Sequence, residues 1–406
     1  MPFSLFALQP ELIRAVKEMG FKKPTPIQDK AIPPALQGKD VLGSAQTGSG
    51  KTVAFALPLV HRLLSGPKGQ RALILAPVRE LAAQVEATFK DCCRFTKLRT
   101  CLVMGGESMR QQASGLKTGA DIIIATPGRL LDHLQNTRGF DLKACGFLVL
   151  DEADRMLDMG FLPDVSRILE RVPSNRQTLM FSATVPGEIE RLVSRFMRDP
   201  VRIQIDPPGR PAEGVVQKVY PVSAQQKYDL LRALLAREEM TSVLVFTAMK
   251  RRADMVANVL RHAGIPARAM HSDLTQSART KVMDDFREQR FRVLVATDIA
   301  ARGLDIRHVS HVVNFDVPLY PEDYLHRIGR TARVFTIGDA ITLMSPHEKD
   351  PVRAIEGFIK ADIPRCALEG FAYDVPPMLT VYKPPAHARF SMRRRSIPRG
   401  RGRRGL

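Results

Sequence analysis

Cysteine is scarce in this 406-residue chain: there are five, none forms a CxxC pair, and the number is odd. That argues against a structural zinc site and against a disulfide framework, and it predicts a reducing compartment. Long apolar runs are also missing, since none approaches the roughly 20 residues that a membrane-spanning helix needs. The opening MPFSLFALQPELIRAV lacks the charged start and continuous apolar core of a secretory signal. A soluble, cytoplasmic protein with no membrane partner is therefore expected. Acidic residues are absent from Tyr382 to Leu406, where nine Lys and Arg stand. The whole chain holds 61 basic against 42 acidic residues, a net charge of +19, so about +10 remains outside that segment. Such an excess points to a polyanionic partner, nucleic acid before an acidic membrane surface.

What is present is otherwise ordinary: 44% hydrophobic and 25% charged residues, enough to bury more than one core. Short aliphatic runs recur, each followed by a polar turn and then a helical pattern. They are Asp40–Leu42, Ala72–Leu75, Asp121–Ile124, Phe147–Leu150 and Thr178–Phe181, then Ser242–Phe246, Val293–Val295, His311–Asn314 and Ala340–Met344. Being apolar throughout, they read as strands buried on both faces of a parallel sheet. Helical patterns lie between them, at Glu80–Lys90, Pro163–Arg171, Gly187–Met197, Arg251–His262 and Ala278–Gln289. The alternation means α/β layers. DPPGRPAEG breaks it with three prolines and two glycines, and reads as a linker over 206–214. Two domains follow, 1–205 and 215–365, with 366–406 as a basic tail too poor in apolar residues to fold alone.

The strongest local signal is AQTGSGKT, from Ala45 through Gln46, Thr47, Gly48, Ser49, Gly50 and Lys51 to Thr52. It fits the phosphate-loop pattern GxxxxGK[ST], with alanine at the first glycine. The glycines let backbone N–H groups face a β-phosphate, Lys51 adds a point charge, and the Thr52 hydroxyl suits magnesium. A Gly-rich turn that merely caps a helix shares the glycines but does not require GKT. A phosphate loop needs a distal carboxylate after an apolar strand, and FLVLDEADRML supplies Asp151 and Glu152. Asp151 suits Mg2+ through water, and Glu152 suits the general base for an attacking water. Acids at that position also serve as helix N-caps; the phosphate loop is what favours the catalytic reading.

A further segment, HRIGRTARV, carries Arg327, Arg330 and Arg333 at three-residue intervals with no acid between them. On a helix this spacing stacks the side chains along one face, which suits either a solvated surface or a phosphate.

Asp151-Glu152-Ala153-Asp154 spells the name of the DEAD-box RNA helicases, and the chain resembles that family over roughly residues 3–360. The resemblance implies two RecA-like α/β domains with parallel sheets, joined by a flexible linker, which close on ATP and single-stranded RNA. GFKKPTPIQ resembles the family's adenine-reading element, implying Gln28 at the adenine edge, Phe21 stacked on the ring and Phe3 as its upstream aromatic. Ser182-Ala183-Thr184 resembles the motif that couples hydrolysis to strand separation, together with Asp154. RNA contacts are implied at PVREL, Gly105-Gly106 and TPGRL, through Arg79, Gly106, Thr126 and Arg129. Threonine is usual in the family where this chain has Val78, so one hydroxyl contact is missing.

In the second half, ATDIAARGLD implies Thr297 at an RNA phosphate, and Gly303 and Asp305 at the nucleotide. HSDLTQSAR matches the preceding element with Ser272 where glycine is usual. In HRIGRTARV the resemblance makes Arg330 and Arg333 arginine fingers for the γ-phosphate and His326 a bridge to the first domain. Ala332 replaces a usual glycine there, which costs nothing if the position is helical. Arginine suits the task because its planar fork holds phosphate oxygens bidentately. The expected activity is ATP-dependent local unwinding of short RNA duplexes, or remodelling of RNA–protein complexes. RNA-stimulated hydrolysis would occur in the interdomain cleft, with ATP and Mg2+ bound and the RNA held largely by its backbone. The tail, with glycines among its arginines, is expected to add salt-dependent RNA affinity. The likeness is to the bacterial RhlE-like subgroup, with ribosome assembly or RNA degradation as settings. A DNA-directed helicase and a non-catalytic RNA chaperone are the alternatives. PTPIQ and the DEAD spelling speak against the first, and unwinding measured with Glu152→Gln and with a chain ended near Lys383 discriminates the second.

Overall fold

The computed structural model describes residues 2–45, 48–205, 214–236, 240–301, 309–331 and 338–376. The expected sites at Gln46, Thr47, Gly303, Asp305 and Arg333, with Ala332, most of the linker and the arginine-rich tail, lie outside these residues.

The first domain is a seven-stranded sheet. In chain order its strands are β1 (Val41–Ser44), β2 (Arg71–Leu75), β3 (Thr100–Val103), β4 (Ile122–Ala125), β5 (Cys145–Leu150), β6 (Gln177–Ser182) and β7 (Val201–Gln204). They lie in the order β3-β4-β2-β5-β6-β1-β7, and every pairing is parallel. Alternate residues of one strand serve opposite layers. Val41, Ile74, Val149 and Phe181 face one core, while Leu42, Leu75, Leu150 and Met180 face the other. Both faces are covered by helices, so the central strands can be apolar at every position.

The second domain repeats the plan in six strands: β8 (Val215–Pro221), β9 (Val243–Thr247), β10 (Ala267–Met270), β11 (Val293–Thr297), β12 (His311–Asn314) and β13 (Gly338–Met344). Their order is β10-β11-β9-β12-β13-β8, again all parallel. This is the expected α/β class, with a helix at each of the five expected places. The packed chain runs past the expected end at 365. The Cys366 backbone N–H donates to the Val219 carbonyl at 2.8 Å, Leu368 is buried in the core, and Gln226 Nε2 donates to the Ala372 carbonyl. Among the described residues no helix is long and apolar enough to cross a membrane.

Parallel strands send their C-terminal ends to one edge, where a doubly wound sheet gathers its functional loops. Ala45 follows β1, Val78 lies just beyond β2, Thr126 follows β4, Asp151 follows β5 and Ser182 ends β6. The arrangement places five sequence-distant motifs along one rim.

Candidate nucleotide and RNA site

The phosphate loop joins β1 to the helix Lys51–Ser65, as its sequence requires. Gly48 and Gly50 have φ of 84° and 93°, conformations that glycine adopts without steric cost. Lys51 is buried, and its Nζ donates to the Ala45 carbonyl at 3.0 Å, so its charge points back into the loop. The Ala45 amide in turn donates to the Ser182 carbonyl, and the Ser44 hydroxyl to the Ala183 carbonyl at 3.2 Å. Loop and SAT segment are thereby tied together.

Asp151 is 2% exposed, and burial pushes its carboxyl up to about 7, with Lys51 pulling the other way and Glu152 adding to the rise. Its Oδ1 has no hydrogen-bond partner among the described residues. Glu152 takes a left-handed conformation, φ 52° and ψ 56°, a cost of roughly 1–2 kcal/mol for a residue with a Cβ. Strain of this kind gathers at functional sites. Asp154 straps the SAT segment to the short helix Ala153–Asp158. Its Oδ2 accepts from the Ala183 amide at 3.0 Å, the Thr184 amide at 2.8 Å and the Thr184 hydroxyl at 3.1 Å. The Asp154 amide donates to the Ser182 hydroxyl, which donates to the Thr184 carbonyl at 2.6 Å. The expected coupling residues are thus in one bonded cluster.

Gln28 is placed beside the phosphate loop, though its amide is already engaged. Its Oε1 accepts from the Thr25 amide and its Nε2 donates to the Gly50 carbonyl, each at 3.0 Å. One N–H of that amide and one lone pair of its oxygen remain for a nucleobase. Phe3 is buried, Phe21 is partly exposed, and their rings lie 6.4 Å apart with a 31° tilt. Phe21 is therefore the one offering a face.

The RNA candidates of the first domain line the same rim. Thr126 and Val78 occupy the N-cap positions of the helices Pro127–Asn136 and Arg79–Cys93, and Val78 is buried without a cap bond. Arg129 is anchored, its Nη1 donating to the Glu107 carbonyl at 2.9 Å and to Gln112. Gly106, at φ 84°, lies under the Arg79 guanidinium. Thr297 ends β11 and is half-buried.

The second domain meets the first directly. Arg79 donates to Gln276 at 3.3 Å, Gln276 to Glu80 at 3.2 Å, and Arg279 pairs with Glu80 at 2.9 Å. Arg155 pairs with Asp323 at 3.1 Å. A cleft of about 990 Å3 opens between Asp154, Thr184 and Glu188 on one side and Asp323 and His326 on the other. His326 and Arg330 also share a small gap with Arg155. Sequence reasoning missed Glu80, Arg155, Gln276, Arg279 and Asp323, since nothing local marks a residue as a partner of one some 170 to 200 positions away.

The arginine triplet divides. The helix Pro321–Ile328 ends before Arg330, so Arg327 and Arg330 do not share one helical face. Arg327 is 2% exposed and bonds Asp298 twice, at 2.7 and 2.8 Å, with further bonds to Asn314 Oδ1 at 3.1 Å and the Asp316 carbonyl at 2.7 Å. It holds the second domain together. Arg330, also buried, remains at the interdomain gap.

Comparison with known proteins gives the family. Residues 25–192 match the DEAD/DEAH box helicase family and residues 226–335 the helicase conserved C-terminal domain. The chain is 45% identical to the ATP-dependent RNA helicase CshA of Listeria monocytogenes, over 87% of this chain and 68% of that protein. It is 44% identical to the ATP-dependent rRNA helicase RRP3 of Eremothecium gossypii, over 88% and 74%. Its structure resembles S. cerevisiae Dbp5 bound to RNA and ADP BeF3, with a TM-score of 0.83, 30% identity, and coverage of 90% and 95%. The chain belongs to the DEAD-box ATP-dependent RNA helicases.

Proposed function

We propose that ATP and single-stranded RNA bind together across the interdomain cleft and that closure of the two domains switches on hydrolysis. The observation that carries this reading is the gap in which His326 and Arg330 of the second domain meet Arg155, three residues beyond Glu152. Lys51 and the loop amides hold the phosphates, and Gln28 with Phe21 orients the base. Glu152 takes the proton of the attacking water, and Arg330 and Arg333 receive charge that spreads over the γ-oxygens. An inserted arginine accelerates such a step by about three to five orders of magnitude. Gly303 and Asp305 hold the nucleotide from the second domain.

Mg2+ fits the residues present. The unpartnered Asp151 Oδ1 and the half-buried Thr52 are suited to it, and when bound the ion neutralises phosphate charge. Among the described residues no group of three or more His, Cys, Asp or Glu could hold a metal alone, so the ion is expected to arrive with phosphate. The SAT segment, strapped by Asp154, transmits closure toward the RNA contacts Arg79, Gly106, Thr126, Arg129 and Thr297. Duplexes part because one strand is held by its backbone in a form its partner cannot follow. The arginine-rich tail acts as an auxiliary, sequence-independent arm. A cytoplasmic setting, the RhlE-like subgroup, and a place in ribosome assembly or RNA degradation complete the proposal. The rRNA helicase relatives favour ribosome assembly.

The test is ATP hydrolysis and strand separation with RNA and with DNA of matched length, for the parent chain, Lys51→Ala and Glu152→Gln. RNA alone should stimulate the parent, and both variants should lose hydrolysis. Unwinding that persists in Glu152→Gln without ATP would instead make the protein an RNA chaperone.

A further inference from the structure

Arg155 and Asp323 form a cross-domain ion pair that none of the roles above uses. We propose that this pair is a positioning strut: it sets how readily the second domain docks on the first and is relinquished each time they part. The inference rests on the closure reading, because it concerns the same cleft.

Both ends of the strut are fixed. Arg155 lies on the helix Ala153–Asp158, whose first turn is bonded to the SAT segment through Asp154, and its own amide donates to Asp154 Oδ1 at 3.0 Å. Asp323 lies in the first turn of the helix Pro321–Ile328, which Arg327 welds to Asp298, Asn314 and the Asp316 carbonyl. His326 follows Asp323 by one turn of that helix. The bond between Arg155 Nη1 and Asp323 Oδ1, 3.1 Å long, therefore links the segment carrying Asp151 and Glu152 to the segment carrying His326 and Arg330.

The pair is also built to release. Arg155 is 2% exposed and the Asp323 side chain 14%, so in the docked form a guanidinium and much of a carboxylate are out of water. Arg155 Nη2 has no hydrogen-bond partner among the described residues. A buried guanidinium held at one nitrogen gives up hydration that a bidentate fork would have replaced. Separation of the domains restores that hydration. The contact therefore specifies the docked geometry without locking it.

The test uses the full chain with a dye on each domain. Energy transfer, and ATP hydrolysis against RNA concentration, are measured for the parent, Arg155→Lys, Arg155→Asp, Asp323→Arg and the exchange Arg155→Asp/Asp323→Arg. Thermal unfolding checks that each variant folds. In Arg155→Asp and Asp323→Arg the RNA concentration for half-maximal hydrolysis should rise about ten- to a hundredfold, the range of a hydrogen bond to a charged group. The maximal rate should change far less, hydrolysis without RNA should stay within about twofold, and the energy-transfer titration should shift in step. The exchange should recover much of the loss, and Arg155→Lys should fall between. The strut is overturned if the singles titrate like the parent, if the exchange is no better than the worse single, or if the maximal rate falls while the RNA midpoint stays put. A parent that shows no RNA stimulation would instead remove the closure reading itself.

Discussion

Replacing Arg327 with alanine should cost stability before it costs chemistry. The side chain is 2% exposed and makes four hydrogen bonds, two to Asp298 and one each to Asn314 and the Asp316 carbonyl. Its guanidinium also lies 5.1 Å from the centre of the Phe246 ring. Alanine leaves the Asp298 carboxylate without its fork and Asn314, which is fully buried, without an acceptor's donor. Removing one member of a buried charged pair costs about 3–5 kcal/mol. In a domain of this size each kcal/mol lowers the melting temperature by about 2–4 °C, so the second domain should melt about 6–20 °C earlier. Arg327→Lys should lose less, since it keeps the charge and loses the fork. Calorimetry of the full chain measures the transition, and hydrolysis is assayed well below it, where the folded variant should retain substantial RNA stimulation. An Arg327→Ala protein that melts with the parent and yet hydrolyses no ATP would refute the division of the triplet. Arg327 would then belong with Arg330 in the proposed hydrolytic role.

Two further outcomes follow from the phosphate-binding half. The buried Asp151 carboxyl is pushed from 3.8 up to about 7, so the folded protein binds that proton more tightly than the unfolded chain does. Its ionisation therefore destabilises the fold increasingly from about pH 4 to 7, by up to about 4 kcal/mol, and the penalty is constant above. Asp151→Asn should consequently melt higher than the parent at pH 8, with an advantage that shrinks toward pH 4; an advantage independent of pH would contradict the assignment. Gly50→Ala forces a Cβ into a φ of 93° and to 2.4 Å from Gln28 Nε2. Binding of a fluorescent ATP analogue should weaken about tenfold or more, given a left-handed cost of roughly 1–2 kcal/mol before any clash. Unchanged affinity would show that the loop reorganises freely.

The sequence was most legible where burial is symmetrical. The nine aliphatic runs all became strands, and the four strands it did not reveal, β3, β7, β8 and β10, are the four sheet edges. An edge strand has one neighbour and incomplete cover, so its residues alternate in exposure, as the Val201–Gln204 strand does. VRIQ and ARAM therefore carry charges that a criterion of unbroken apolarity rejects. Asp151 and Ser182 were legible beside such runs, since one follows β5 and the other ends β6, whereas Lys51 was legible from the phosphate-loop pattern and opens a helix.

Spacing, by contrast, misleads wherever an element ends unannounced. Three arginines at intervals of three suggest one helical face, but the helix stops at Ile328. Arg327 then turns into the domain that Asp298 and Asn314 build, while Arg330 stays at the gap beside Arg155. Partners decide the roles, and the partners come from other strands and from the other domain. Gln28 makes the same point from the opposite side, since the residue that the sequence offered for reading a base is also a donor to the Gly50 carbonyl. The motif supplies the functional group, and the tertiary contact decides what else that group holds.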